Sequence, residues 1–385
     1  MTLIIGFLVL GLLITVHEFG HFIIAKLCGV GVIEFAIGFG QRIVSKRIGE
    51  TRYSLRVFPL GGFVRMVGDT AGGFIEGIEE DKKPAETEAA PEVFDEIQQK
   101  MLNDKSRWFL EKPLWARAAI VAAGPFFNLL FAFIFAVAGA WIWGAAEPVN
   151  EPLIGDVSSG MPAQKAGVLP GDRILSIDGK SLTTWKDLAD TISTSAGREL
   201  SLQIERMVEG TRSSVEIKIT AEPESAELRL LDDSERKEIS YKIGVAPEAI
   251  YEPVSALKSF SMGAQHVYFL SALTLKSMWF MIRGEVSPRH IAGPISIFQE
   301  AAKSAGKGAP HLLSFIILLS VSLAVLNILP VPVLDGGHLL FMLIEFCLRR
   351  PLSVRVQGLA NQVGMAALLM LMLFAIGNDI FRLVE

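Results

Sequence analysis

Four long apolar runs set the outline of this chain: Thr2–Ala25, Ala116–Trp143, Leu312–Leu329 with a continuation to Cys347, and Gly358–Ile376. About 20 consecutive apolar residues carry a helix across a bilayer, so each run predicts a transmembrane helix. A fifth run, Ala256–Ile282, is apolar only in patches. Its Lys258, Gln265, His266 and Lys276 would be costly at mid-bilayer, and it reads as a peripheral helix. Between the first two spans the pattern changes. Val32–Val67 is rich in Val, Ile, Phe and Tyr, with Gly38, Gly40, Gly49 and the Gly61–Gly62 pair as turn points. That predicts short strands in a small sheet at the membrane face. Ala71–Ala90 is acidic and rich in Pro, Gly and Ala, as a mobile loop is. Val93, Phe94, Ile97 and Met101 then fall near helical spacing and read as an interfacial helix.

Charge orients the spans. Lys26, Arg42, Lys46, Arg47, Arg52, Arg56 and Arg65 follow the first span against only Glu34 and Glu50, which marks that side as cytoplasmic. Gly144–Pro310 is then exported, and the Arg349, Arg350 and Arg355 cluster returns to the cytoplasm. The first run lacks a basic leader and carries two histidines and a glutamate in its second half, so it reads as a retained span rather than a secretory signal. Composition agrees, with 51% hydrophobic residues among 385. A net charge of −5 offers no basic surface and sets nucleic-acid binding aside. Two cysteines, Cys28 and Cys347, are too few and too far apart for a disulfide framework.

The candidate chemistry lies in the first span, at His17-Glu18-Phe19-Gly20-His21. Residues four apart share a helix face, so both imidazoles can approach one tetrahedral zinc ion, with Glu18 beside them as a base for water. Two histidines and a glutamate are expensive inside a membrane unless they bind something. The bland alternative is a polar trio facing the interior of a helix bundle. A catalytic zinc also needs a third protein ligand. His266, His290, His311 and His338 show no paired spacing and read as surface or packing residues. Asp335 is better placed, in the apolar stretch Asn327-Ile-Leu-Pro-Val-Pro-Val-Leu-Asp335-Gly336-Gly337, where an unpaired carboxylate is costly. Pro330 and Pro332 should interrupt the helix there, and the two glycines allow close approach.

The exported segment alternates short β-like runs with turns over Leu153–Ala221, and Ala166-Gly-Val-Leu-Pro-Gly-Asp-Arg-Ile174 closely resembles the pattern of a PDZ domain. HExxH in the first span, an NxxPxPxLDGG element in a later one and a PDZ domain between them together resemble the site-2 protease family, in its RseP-like bacterial branch. Gly38-Phe39-Gly40, Pro59-Leu-Gly-Gly62, Ala123-Gly-Pro-Phe-Phe-Asn128 and Gly293-Pro-Ile-Ser296 extend the likeness over nearly the whole chain. The resemblance implies one catalytic Zn2+ held by His17, His21 and Asp335, Glu18 as general base, and Asn327 with Gly38, Phe39 and Gly40 at the substrate. Only one PDZ domain is legible, where the best-known members of this branch carry a tandem pair.

The expected architecture is a polytopic α-helical membrane protein with four transmembrane helices, a small membrane-associated β-region and one exported PDZ domain. Its layout is a first transmembrane helix over 1–28, a cytoplasmic β-region and loop over 29–112, a second transmembrane helix over 113–145, the PDZ domain over 150–222, a linker and peripheral helix over 223–310, a third transmembrane segment over 311–348 and a fourth helix over 356–378. The function implied is zinc-dependent intramembrane endopeptidase activity in the bacterial inner membrane, with the active site towards the cytoplasm and the PDZ domain in the periplasm. Its partners would be the bilayer and single-span substrates such as anti-sigma factors or signal-peptide remnants, trimmed beforehand by another protease. Two rivals stand beside it. One is an HExxH membrane protease with a soluble zinc domain, disfavoured by the position of HExxH within a span. The other is a non-catalytic PDZ membrane scaffold, disfavoured by the intact Glu18.

Overall fold

The computed structural model describes residues 2–69, 96–158, 160–208, 211–223 and 241–384. The acidic stretch 71–90, Val93 and Phe94 of the expected interfacial helix, and 224–240 lie outside the described residues. The chain opens with helix α1 (Thr2–Leu27), strands β1 (Val32–Ile48) and β2 (Thr51–Met66), and helices α2 (Glu96–Asn103) and α3 (Leu114–Trp143). A β-rich region follows: β3 (Ala145–Pro148), β4 (Ile154–Val157), α4 (Pro162–Lys165), β5 (Arg173–Ile177), β6 (Lys180–Ser181), α5 (Trp185–Ser193), β7 (Glu199–Val208) and β8 (Thr211–Thr220). Four short strands complete it: β9 (Glu222–Pro223), β10 (Tyr241–Lys242), β11 (Val245–Pro247) and β12 (Ala249–Glu252). The rest is helical, with α6 (Ala256–Ile282), α7 (Pro294–Gly306), α8 (Ala309–Ile328), α9 (Asp335–Leu348) and α10 (Val354–Val384).

Among the described residues, four helices are long and apolar enough to cross a membrane: α1, α3, α8 and α10. The 27-residue α6 is not among them. The chain divides into two compact units, one of Met1–Val137, Met262–Leu275 and Pro288–Glu385, the other of Ala138–Ser261 and Lys276–Ser287.

In the helical unit, small residues let helices approach closely. A side chain on Gly20 of α1 would overlap the Ala123 carbonyl of α3, so this crossing needs a glycine. One apolar core gathers Phe22, Ala25, Val32, Phe35, Val64, Phe109 and Ile120; another gathers Ala132, Ala136, Leu270, Ile317, Val321 and Val325. The Gly293-Pro-Ile-Ser296 motif turns out to start α7. Its exposed backbone N–H groups are met from α10 by Asp379, which accepts from the amides of Gly293 (3.0 Å), Ile295 (2.9 Å) and Ser296 (3.1 Å) and from the Ser296 hydroxyl (2.5 Å). A carboxylate there satisfies the donors that every helix start leaves open and complements the helix dipole.

Among the described residues, the expected small sheet is built from two strands, of 17 and 16 residues. Phe35 pairs with both Tyr53 and Val64, and Ile37 with both Leu55 and Gly62, while Val44–Ile48 pairs back along Thr51–Leu55. The register therefore sets 51–56 between 42–48 and 32–37, with 62–66 along the far side of 32–37. Each strand must bend to serve twice, and Gly38 (φ +89°) and Gly61 (φ +145°) supply backbone angles that other residues resist. Glu34 pins the fold of this ribbon. It is 1% exposed, and Ser54 Oγ (2.5 Å), Arg42 Nη2 (3.0 Å) and Arg56 Nη2 (2.9 Å) all donate to it.

The β-rich unit has its own core, which includes Ile154, Val168, Ile174, Leu188, Leu200, Leu202, Ile204 and Ile219. A four-stranded sheet runs β6-β5-β7-β8, and α5 begins at a capping box of Thr184 and Asp187. In the Gly171–Asp172 pair, Asp172 accepts from the Leu169 amide (2.8 Å) and from Arg206 Nε (2.7 Å), tying the turn to β7. The β-rich unit continues past residue 223. Ile243 joins the core, β10 pairs with β9, β11 with β4 and β12 with β3, so 241–252 returns to the same unit rather than forming a linker.

Candidate active site

The site is built first on α1, where His17 and His21 lie one turn apart and buried, 8% and 9% exposed. Their Nε2 atoms are 3.2 Å from each other. His21 Nδ1 lies 2.8 Å from the Ile120 carbonyl oxygen of α3. A carbonyl can only accept, so Nδ1 carries the hydrogen, and in the neutral ring Nε2 of His21 presents a lone pair. Room for both rings comes from Gly124, one turn on from Ile120: a Cβ there would overlap His21 Nε2 and crowd His17 Cε1.

The second part comes from a break in a membrane helix. α8 ends at Ile328, and α9 starts at Asp335. Between them Pro330 and Pro332 interrupt the helix as expected, and Leu334 N donates to the Val331 carbonyl at 3.1 Å to close a turn. Val333 sits in that turn at φ +83°, a left-handed conformation costly for a β-branched residue. Side chains on Gly336 and Gly337 would collide with the carbonyls of Ile328, Leu329 and Val331, so α9 folds tightly against the turn only with glycine at both positions. Irregular backbone of this kind is tolerated at membrane depth where it lines a cavity. The tight turn delivers Asp335, in the first turn of α9, to the two imidazoles.

Asp335 Oδ2 stands 3.0 Å from His17 Nε2 and 3.6 Å from His21 Nε2. That oxygen is nevertheless buried and accepts no well-formed hydrogen bond among the described residues. One ligand atom from each of His17, His21 and Asp335 falls within 4.8 Å of the others. A buried carboxylate oxygen left unpaired beside two imidazole nitrogens is a costly arrangement for a protein alone, and two nitrogens with one oxygen are the donor set that zinc accepts. The residues fit a metal ion.

A cavity of about 570 Å³ opens on this cluster, lined by His17, Glu18, His21, Asn327 and Asp335 together with Gly62, Phe63 and Val64 of β2. Glu18 and Asn327 thus line the same cavity as the three candidate ligands. Gly38, Phe39 and Gly40 are not among its lining residues; Phe39 instead stacks on Phe63 at 6.3 Å. His338 reaches the cavity wall but not the ligand cluster. Sequence reading missed the Arg117–Glu345 ion pair (2.5 Å) on the wall, which joins residues far apart in the chain. It also assigned no role to Asn128, which is fully buried with its side-chain amide 3.3 Å from His17 Nδ1. The Ala123–Asn128 motif was the signal available.

Comparison with known proteins gives one concordant picture. The family described as Peptidase family M50 matches residues 5–371. A Rhizobium meliloti relative with a provisional zinc metalloprotease name is 37% identical, over 96% of this chain and 94% of the relative. The zinc metalloprotease RasP of Geobacillus kaustophilus is 30% identical over 98% and 97%. The regulator of sigma-W protease RasP of Bacillus subtilis is 28% identical over 99% of each.

Proposed function

The chain belongs to peptidase family M50, the site-2 proteases, and from that premise we propose that it cuts the transmembrane segments of single-span membrane proteins with one zinc ion held by His17, His21 and Asp335. The observation that carries the reading is the convergence of those three side chains from α1 and from the break before α9, with Asp335 Oδ2 buried and unpaired. Zinc bound there supplies Lewis acidity towards water and the scissile carbonyl. Glu18, on the cavity wall beside the ligands, takes the proton from water and returns it to the leaving amide nitrogen. Asn327, from the last turn of α8, donates its side-chain amide to the substrate backbone.

A transmembrane helix hides its peptide bonds within its own hydrogen bonds, so the substrate is unwound before cleavage. Segment 62–66 supports strand addition as the means: it lies at the side of the β1–β2 ribbon, and Gly62, Phe63 and Val64 line the cavity. A side chain on Gly62 would come within 3.2 Å of Glu18 Cγ, so a glycine there leaves the Glu18 side chain its place against this strand. Gly38, Phe39 and Gly40 then act one layer back, through the stacking of Phe39 on Phe63.

The unit containing β4–β11 acts as a PDZ domain on the exported side, either tethering a newly trimmed C-terminus or excluding untrimmed substrates. The favoured substrates are anti-sigma factors and signal-peptide remnants in the inner membrane. A relative named as a regulator of sigma-W protease supports the former.

The test is zinc content and cleavage of a transmembrane reporter by the purified chain and by Glu18→Gln. The variant should keep one zinc and lose turnover on the order of 10²–10⁴-fold. Equal turnover would remove Glu18 from the chemistry, and a metal-free but active enzyme would remove the whole reading.

A further inference from the structure

One face of α3 is arranged around the two imidazoles. Ile120, Gly124 and Asn128 recur every four residues on it. The Ile120 carbonyl takes the Nδ1 hydrogen of His21, and Gly124 makes room for both rings. Asn128 stands at the corresponding place for His17, its side-chain amide 3.3 Å from Nδ1. It is 0% exposed, and its own backbone carbonyl accepts a hydrogen bond from Ser320 Oγ of α8 at 2.8 Å, which holds that stretch of α3 in place. Asn128 Oδ1, moreover, has no partner among the described residues as oriented.

An amide can turn either end towards Nδ1, and the two ends are not distinguished by heavy-atom positions. They have opposite consequences. An NH2 group facing Nδ1 needs a lone pair there and forces the hydrogen onto Nε2, pointing it at Asp335 Oδ2 and His21 Nε2, 3.0 Å and 3.2 Å away. A carbonyl oxygen facing Nδ1 takes the hydrogen on that side and leaves Nε2 free. Only the second makes His17 match His21, whose tautomer the Ile120 carbonyl already dictates.

We propose that Asn128 is a positioning residue for the metal centre: its Oδ1 accepts the Nδ1 hydrogen of His17 and fixes the tautomer whose Nε2 lone pair faces Asp335. The inference rests on the zinc reading above and adds the device that prepares one of its ligands. Partners of this kind, once removed, typically weaken metal binding 10- to 100-fold. Asn128 does not touch substrate, so its effect passes through His17.

Zinc affinity, measured by competition with a chromophoric chelator on the detergent-purified full chain, tests this without reference to turnover. Asn128→Leu keeps the volume and removes the acceptor; it should weaken zinc binding on the order of 10- to 100-fold while the metal-free thermal midpoint stays near that of the native chain. Asn128→Asp can only accept, so it should restore affinity to within a few-fold of native or tighten it. If Asp is as weak as Leu, the amide donates to His17 and the assignment is wrong. If Leu binds zinc as the native chain does, Asn128 is packing alone. Should the Leu variant not be obtained folded, the Asp variant decides by itself, since it separates acceptor from donor. A native chain that binds no stoichiometric zinc would instead overturn the zinc reading, and this inference with it.

Discussion

Two of the carboxylates enclosed in the helical unit, Glu34 and Asp335, are treated in opposite ways. Glu34, in the β1–β2 ribbon, is met by a serine hydroxyl and two guanidinium groups. Asp335, at the break between α8 and α9, approaches two imidazoles yet keeps one buried oxygen without a hydrogen bond. Burial is costly for both charges, so each needs compensation. The ribbon supplies it through directed hydrogen bonds, the helix break only through the nearness of two imidazoles. A buried acid whose lone pairs are all used holds the fold together. A buried acid with a lone pair to spare, facing other lone pairs, is prepared for a ligand.

The same chemical change at the two positions should therefore give opposite results. Asp335→Asn is expected to have the largest effect on function: zinc binding weakened by at least about 100-fold, beyond what loss of a ligand's outer partner causes, and turnover lost with it. The metal-free protein should be as stable as the native chain or more so, because a poorly compensated buried charge is gone. Chelator competition and metal-free thermal unfolding read the two halves separately. A large fall in metal-free stability would mean that Asp335 is a structural partner of the histidines, and the contrast with Glu34 would vanish.

Glu34→Gln should do the reverse, retaining zinc while costing about 2 kcal/mol of stability; breaking a buried ion pair costs about 3–5 kcal/mol, reduced here because the Arg42 side chain is partly exposed. A pH dependence follows. Burial acts to raise the Glu34 carboxyl, but the hydrogen bonds from Ser54, Arg42 and Arg56 outweigh it and hold the group below its ordinary value of 4.5. A lowered folded-state value means that the stabilisation is complete above the ordinary value and is lost as pH falls through the lowered one. Acid unfolding of the native chain should thus show a component, starting below pH 4.5, that Glu34→Gln lacks. Identical acid profiles would show that the ribbon does not depend on this charge.

How legible each region was follows from the range of its interactions. His17, Glu18 and His21 stood out because four-residue spacing on a helix is local, and Asp335 because a carboxylate in an apolar run is conspicuous wherever its partner lies. The break at Pro330–Leu334 was readable from proline chemistry alone. What could not be read were partnerships made through backbone groups or across long separations. The Ile120 carbonyl that orients His21 has no residue-type signature, and Asp379 caps α7 from more than 80 residues away. The strands at 241–252 are two to four residues long, too short for any period, so their return to the β-rich unit was invisible. The ribbon was expected as several short strands. Its two long strands instead bend at glycines whose turning role was seen but whose double pairing was not.

The finest adjustment of the contrast lies at Val333, whose φ of +83° holds the turn just before Asp335. Proline precedes it and the turn closes from Leu334 to Val331, a geometry in which glycine is the usual occupant of this position. A valine there carries strain of about 1–3 kcal/mol. Replacing it with glycine relieves that strain but adds freedom to the unfolded chain, worth about 0.4–1 kcal/mol, and removes a partly buried isopropyl group. The net change in stability should therefore be small, within about 1 kcal/mol by thermal unfolding. Zinc affinity should not move if Gly336 and Gly337, packed on the carbonyls before them, fix the start of α9 without help from Val333. A loss of affinity in Val333→Gly, with stability unchanged, would instead make the strained valine part of what aims Asp335, and would extend the prepared region from the carboxylate to the turn that carries it.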